Sequence, residues 1–342
     1  MIGMSSHERW FTPAKNVLLT GAGFTKNFGG CLASEMWSMI LNQPEIRQSP
    51  KSLRPFLLEE LNYEDAYDKV ITSNNYTEEE KSAFTTAIRS AYKQMHEDIC
   101  LDDMESKGGG CTLARAFHMR LAVQQKGFLF TLNQDLYFES YYYRGPEDRI
   151  EIPGLDHRNW FTGHFPAYGP TPVYEIPLGD ESEVGRIKEL FWQESRNNFA
   201  YVKLHGSLGW IGKDGADRMV IGNKKTVAIA QEPLLEWYFS LFKEVLTFQP
   251  CNLVVIGYGF RDWHINFVIS HAIQEYKLRL HVVSPKQPKE FKDMLCLGGV
   301  PEGKQLWDGL FGYHTGVVTD FLQRDGQGLS SRGKALLDSL ED

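Results

Sequence analysis

Four apolar runs in this chain each stop at the same kind of place. Asn16-Val17-Leu18-Leu19-Thr20 runs into Gly21-Ala22-Gly23-Phe24-Thr25, and Gly127-Phe128-Leu129-Phe130-Thr131 into Leu132-Asn133-Gln134-Asp135. Tyr201-Val202-Lys203-Leu204 runs into His205-Gly206-Ser207, and Asn252-Leu253-Val254-Val255-Ile256 into Gly257-Tyr258-Gly259-Phe260. Short apolar runs bounded by turn residues read as buried strands. Helical spacing fills much of the chain between them, at 33–41, 183–194, 233–246 and 263–276. A further strand is expected at Leu280-His281-Val282-Val283. Strands that alternate with helices predict an α/β fold on a largely parallel, doubly wound sheet. Each glycine or polar cluster then falls just past a strand's carboxyl end, the edge at which open α/β sheets bind ligands.

The whole chain, 1–342, reads as one domain with two additions. Residues 42–106 show no strand signal. Leu53, Phe56, Leu57 and Leu61, then Phe84, Ile88, Ala91 and Met95, recur at helical spacing, so this stretch is expected to be a helical insertion. Lys107-Gly108-Gly109-Gly110 is expected to be a flexible joint leading out of it. Residues 290–342 are expected to form a C-terminal helical extension, and 210–227 a hairpin turning at Lys213-Asp214-Gly215.

Composition narrows the function classes. Acidic residues number 44 and basic residues 36, a formal net charge of −8, which argues against direct nucleic-acid binding. No run is long and apolar enough to span a membrane, and residues 1–15 lack the apolar core of a secretory signal. The five cysteines (Cys31, Cys100, Cys111, Cys251, Cys296) are scattered and form no C-x-x-C pair. Reduced thiols in a cytoplasmic protein fit this pattern, and a zinc ribbon does not.

Each cluster offers specific chemistry and also an ordinary structural use. Small residues at Gly21-Ala22-Gly23 allow close approach of backbone N–H groups to a diphosphate, or simply make a tight turn between strand and helix. Asn133 can both donate and accept, which suits a ribose hydroxyl or an attacking water, and Asp135 can orient a neighbour; together they also suit an Asx turn. His205 can take a proton from a hydroxyl at neutral pH, or bond to backbone at the edge of the core. The pairs His157/His164 and His264/His271 supply too few converging ligands for a metal site, and none is expected. Tyr137-Phe138 and Tyr141-Tyr142-Tyr143 could stack a base, but core packing plus a lid is the stronger expectation. Trp237, Tyr238, Phe239 and Phe242 read as core or as an oligomer contact.

Taken in order, Gly21-Ala22-Gly23, Thr131-Leu132-Asn133-Gln134-Asp135 and Lys203-Leu204-His205-Gly206-Ser207 resemble the sirtuin signature. Val254 to Phe260, with Asp262, His264, Ile265 and Asn266, is similar to the bacterial sirtuin-like branch, as are Gly29-Gly30 with Glu35-Met36-Trp37 and Ile221-Gly222 with Lys224. The resemblance spans roughly residues 16–290 and implies a Rossmann-like fold. The paired cysteines of the deacylating members' zinc module are missing here, and Lys26-Asn27-Phe28-Gly29-Gly30 stands where those members carry a G-I-P-D-F-R-type stretch.

The zinc-less branch is associated with NAD⁺ hydrolysis in bacterial antiphage defence. The resemblance therefore implies an NAD⁺ glycohydrolase with NAD as substrate. It assigns Asn133 to the ribose and the attacking water, His205 to general-base work, and Asp135 to supporting them. Gly21, Ala22, Gly23, Phe24 and Thr25 would cradle the diphosphate. Gly206 and Ser207 would line the site, with Gly257, Tyr258, Gly259, Phe260 and Ser284 on the adenosine half. A free NADase endangers its host, so gating by homo-oligomerisation or by a separately encoded hexameric translocase-type ATPase is expected, with the 42–106 insertion as the contact. A protein deacylase and a sensor that binds NAD or ADP-ribose without turnover are the alternatives.

Overall fold

The structure is a computed structural model that describes residues 15–48, 52–105, 117, 121, 127–142, 152–155, 173–191, 199–322 and 328–341. In chain order its strands are β1 (Asn16–Thr20), β2 (Phe128–Thr131), β3 (Ile176–Pro177), β4 (Ala200–Lys203), β5 (Gly206–Ile211), β6 (Asp217–Met219), β7 (Asn252–Ile256), β8 (Arg279–Ser284) and β9 (Leu310–Thr315). Six of them form one sheet in the order β4-β2-β1-β7-β8-β9, and every neighbouring pair is parallel. Numbered among themselves, these six run 3-2-1-4-5-6, the order of the Rossmann dinucleotide-binding sheet. Chain direction across the sheet reverses between β1 and β7. The expected Rossmann-like parallel sheet is therefore present.

Parallel strands covered on both faces should be apolar throughout. Val17, Leu18 and Leu19 on β1, and Leu253, Val254, Val255 and Ile256 on β7, are all buried. Register aligns Leu18 with Leu129 on one side and with Val254 on the other, so the carboxyl ends of β1, β2, β4 and β7 lie level. Helix Pro233–Phe248 starts on its proline, whose missing N–H is unneeded there, and buries Trp237, Tyr238, Leu241 and Phe242 against the sheet and its neighbours. These aromatics belong to the core, as do Tyr137 and Phe138. The side chains of Tyr141 and Tyr142, and residues 107–110, 143, 157 and 164, lie outside the described ones.

The described part of the 42–106 stretch is helical: Pro44–Gln48, Leu53–Glu59, Tyr63–Thr72 and Glu78–Glu105. The longest of these packs against helices Ala33–Leu41, Pro44–Gln48 and Tyr63–Thr72. The expected hairpin forms between β5 and β6, but helix Lys225–Ala230 replaces its outer arm. Residues 290–342 depart from the expected helical extension. They carry helices Gly303–Asp308 and Ser331–Glu341, and also β9, which closes the sheet beside β8. β9 reads Leu-Phe-Gly-Tyr-His-Thr and is half-buried along an edge, so it lacks the continuous apolar run that marks the interior strands.

Candidate functional site

Because the large sheet is wholly parallel, every loop that follows one of its strands emerges on one edge. Two of those loops meet where the strand order reverses. Gly21 N–H donates to the Ile256 carbonyl at 3.0 Å, and Gly23 N–H to the Gly257 carbonyl at 2.9 Å. Gly257 has φ +69°, and a Cβ there would stand 2.1 Å from Phe24 N; one on Gly23 would stand 2.9 Å from Gly257 Cα. Glycine is thus required because backbone lies on backbone, a reason the sequence does not display. Phe24 N–H also turns inward, to the Gly21 carbonyl at 2.8 Å. Any anion at this turn would have to meet amides other than those of Gly21, Gly23 and Phe24.

The loop after β2 crosses to the same place. Thr20 and Thr131 share a hydroxyl hydrogen bond of 2.9 Å, and Thr131 Oγ1 accepts from Asn133 N–H at 3.1 Å. Asn133 Nδ2 donates to Thr25 Oγ1 at 3.3 Å, joining the expected ribose residue to the glycine turn. Asp135 caps the next helix by accepting from Tyr137 N–H at 3.0 Å. Burial pushes its carboxyl above the usual range, opposed by Lys203 and by the bonds from Tyr137 and Thr25. Lys203 is fully buried on β4; its ammonium donates to the Asp135 carbonyl and to Glu139 Oε1 at 2.8 Å. Tyr201 donates to Glu139 Oε2 at 3.2 Å. A buried ion pair therefore anchors the loop that carries Asn133 and Asp135.

His205 leaves β4 between two fixed points: Leu204 N–H donates to the Thr131 carbonyl at 2.9 Å, and the His205 carbonyl accepts from Val220 N–H at 2.9 Å. Gly206 follows with φ +70°, and a Cβ there would lie 1.7 Å from the Arg218 carbonyl oxygen, so the H-G step is what lets β5 pair with β6. The Ser207 hydroxyl is fully buried and has no hydrogen-bond partner among the described residues.

The His205 ring faces His264, with Nε2 to Nε2 at 3.1 Å. Burial pushes His205 down to about 3, with Asp262 opposing and Lys225 and His264 adding to the fall. Burial likewise pushes His264 down to about 4. Both imidazoles are neutral at physiological pH, so across the contact one ring donates and the other accepts.

Behind them, Lys225 Nζ pairs with Asp262 Oδ1 at 2.8 Å and with Glu64 Oε2 at 3.0 Å. Burial opposes the charge on Asp262, but the paired Lys225 ammonium, with the two imidazoles where they become charged, outweighs it and holds the carboxyl below its usual range. Glu64 belongs to the helical insertion, so the insertion contributes to this site. It does so a second time through the buried phenols Tyr63 and Tyr92, 3.2 Å apart, of which Tyr92 donates to Gln134 Oε1 at 3.1 Å.

The loop after β7 is held by its own polar residues. Tyr258 Oη accepts from Asp262 N–H at 3.0 Å and donates to Asn266 Oδ1 at 3.0 Å. Asn266 Nδ2 in turn donates to the carbonyls of Phe260, at 2.8 Å, and Pro301, at 3.0 Å. Phe260 sits at φ +55°.

The expected site residues divide accordingly. Asn133, Asp135, Thr25 and His205 lie at the level edge of β1, β2 and β4, with Gly257 and Tyr258 packed against the Gly21–Phe24 turn. Phe24 and Phe260 have no exposed surface: Phe24 stacks on Phe138 at 5.3 Å, and Phe260 packs on Phe291 at 5.7 Å. They shape the loops from beneath. Ser284 ends β8, one strand beyond the reversal, where its carbonyl accepts from Gly316 N–H at 2.8 Å. His264, Lys203, Asp262 and Lys225 complete the site and had not been singled out for it. His271 stacks on Phe267 at 6.2 Å, whereas His264 faces His205. Among the described residues no three His, Cys, Asp or Glu side chains gather as metal ligands.

Residues 128–295 match the family model of the SIR2-like domain, which supports a sirtuin-like family for this chain. The matched range holds Asn133, Asp135, His205, His264 and the 257–260 loop, while the 21–25 turn precedes it. SIR2-like domains bind NAD, and the family includes NAD-dependent deacylases and NAD hydrolases. No curated protein matches the chain. No helix among the described residues is long and apolar enough to cross a membrane.

Proposed function

We propose that this protein hydrolyses NAD⁺ to nicotinamide and ADP-ribose at the carboxyl edge of β1, β2 and β4. The observation that carries the reading is the Asn133–Thr25 bond, with the buried His205 at a strand end on the same carboxyl edge of a 3-2-1-4-5-6 sheet. That crevice is where such sheets take a dinucleotide. The buried Ser207 hydroxyl, two residues from His205, has no hydrogen-bond partner among the described residues, and a ribose or phosphate that reached it would satisfy it.

When bound, NAD⁺ supplies a cationic nicotinamide that leaves as a neutral molecule with the electron pair of its bond to ribose. An oxocarbenium-like ribose results, as in glycoside hydrolysis. The Asn133 amide orients the ribose and the attacking water. His205, held neutral by burial, takes the proton that the water loses as its oxygen bonds to the anomeric carbon. Asp135 and Lys203 hold the Asn133 loop in place. Ala22 and Thr25 stand at the diphosphate, with Tyr258 and Gly259 towards the adenosine.

The resemblance to the zinc-less branch supports a role in antiphage defence, with the activity gated by self-assembly or by a partner ATPase. Exposed Leu58 and Leu61 on the insertion, and Trp263, Phe267 and Tyr276 on helix Trp263–Tyr276, offer surface for such assembly. The test is release of nicotinamide by the purified chain, alone and with candidate partners. Asn133→Ala should lose turnover while keeping its fold. Full activity in that variant would sink the assignment.

A further inference from the structure

We propose that His264 gates the site: its ring caps the lone pair with which His205 would take a proton, and the base works only once His264 has moved away. This rests on the hydrolase reading above. A neutral imidazole has one N–H and one bare nitrogen. The His205 ring gives a hydrogen bond to the Leu132 backbone, and its Nε2 faces His264 Nε2 at 3.1 Å. The N–H is therefore spent on Leu132, Nε2 is the bare nitrogen, and His264 fills it by donating its own Nε2–H. Both rings are almost wholly buried. A water about to lose a proton to His205 has to stand within hydrogen-bond reach of that same Nε2, where His264 now stands. The cap rides on the first turn of helix Trp263–Tyr276, one residue after Asp262. Lys225 clasps Asp262 and also Glu64 of the helical insertion, so a displacement of the insertion reaches the cap through those two residues.

With His264 displaced the step balances. Nicotinamide leaves with the electron pair of its bond to ribose, and the water oxygen bonds to the anomeric carbon. The water O–H breaks, an N–H bond forms at His205 Nε2, and the other ring N–H stays on Leu132. The positive charge ends on His205, which returns its proton to solvent as the products leave. Of the groups facing that charge, the Asp262 carboxylate favours it, while Lys225 and His264 oppose it. Withdrawal of His264 thus frees the lone pair and removes one of the two opposing groups.

The experiment uses the full-length chain with nitrogen-15 at histidine, as wild type and as His264→Ala, with NAD⁺ cleavage measured on the same samples without partners. A hydrogen bond between two imidazole nitrogens transmits a scalar coupling, which NMR reads in the wild type itself. The gate predicts that coupling between the Nε2 atoms of His264 and His205, with the proton on His264. Its absence overturns the gate, and this reading needs no variant to fold. In His264→Ala the freed Nε2 meets water, so His205 should titrate at higher pH than in the wild type, and turnover should rise about tenfold, the rate equivalent of one hydrogen bond worth roughly 1.4 kcal/mol. A ring that merely packs against His205, or assists it, gives the opposite sign. Turnover in His264→Ala equal to or below that of an active wild type therefore overturns the gate and leaves the hydrolase reading standing. The coupling present, His205 released in His264→Ala, and NAD⁺ left intact by both proteins even with candidate partners would uphold the cap and overturn the hydrolase reading.

Discussion

Lys203→Met would leave Glu139 without its ammonium partner where water cannot replace it. The Lys203 side chain is 0% exposed and that of Glu139 7%. Breaking a buried pair by removing one partner costs about 3–5 kcal/mol, because an uncompensated charge remains. Domains are stable by about 5–15 kcal/mol, so the substitution should remove a third or more of the total in many cases. The damage should also reach function, since the same ammonium donates to the Asp135 carbonyl and so steadies the Asn133 loop. Urea denaturation of wild type, Lys203→Met, Glu139→Gln and the double variant gives a complete cycle. The double variant should recover much of the stability lost by Lys203→Met, since two neutral residues leave no buried charge. A loss below about 1 kcal/mol in Lys203→Met, the value of an exposed pair, would refute the reasoning.

Three further outcomes follow from the same contacts. Gly257→Ala sets a Cβ 2.1 Å from Phe24 N at φ +69°, so it should destabilise by at least the ~1–3 kcal/mol of backbone strain and weaken NAD binding in calorimetry, whereas Gly259→Ala, whose Cβ would meet nothing nearer than Arg261 Cγ at 4.0 Å, should leave stability unchanged. Asn266→Ala strips the Phe260 and Pro301 carbonyls of their donor and should cost about 1–3 kcal/mol in a thermal melt. His281 is fully buried on β8 with neither ring nitrogen hydrogen-bonded among the described residues, and burial pushes it down to about 4. Its folded value lies below the unfolded 6.5, so the stability it confers is complete above pH 6.5 and is lost as pH falls towards 4, about 3 kcal/mol in all. His281→Leu should flatten acid denaturation over that window; an unchanged pH profile would remove His281 as its cause.

How far the sequence spoke depended on which physics it exposed. β1, β2 and β7 were legible because interior parallel strands must be apolar on both faces and must stop abruptly, and β4 because, although an edge strand, it is buried along its whole length. β9 was not, because its half-buried edge position tolerates Tyr313, His314 and Thr315, and the apolar signal fades. Asn133 and His205 could be located in advance at the carboxyl edge because the strands that lead into them were legible. His264 could not be assigned a role, since its meaning lies in a contact with His205, 59 residues away in the chain, that only the folded sheet creates. Glu64 and Tyr92 carry no motif of their own, yet they tie the 42–106 stretch to Lys225 and Gln134. Gly23 looked like a phosphate contact, and the structure shows that its N–H is committed to Gly257.

The most direct measurement is the fate of NAD⁺ incubated with the protein, alone and with candidate partners, in oxygen-18 water. The account predicts free nicotinamide and ADP-ribose carrying the heavy oxygen at its anomeric carbon, with both lost in Asn133→Ala and in His205→Ala. NAD⁺ bound but returned intact in every condition, or the heavy oxygen entering unchanged in both variants, would contradict it.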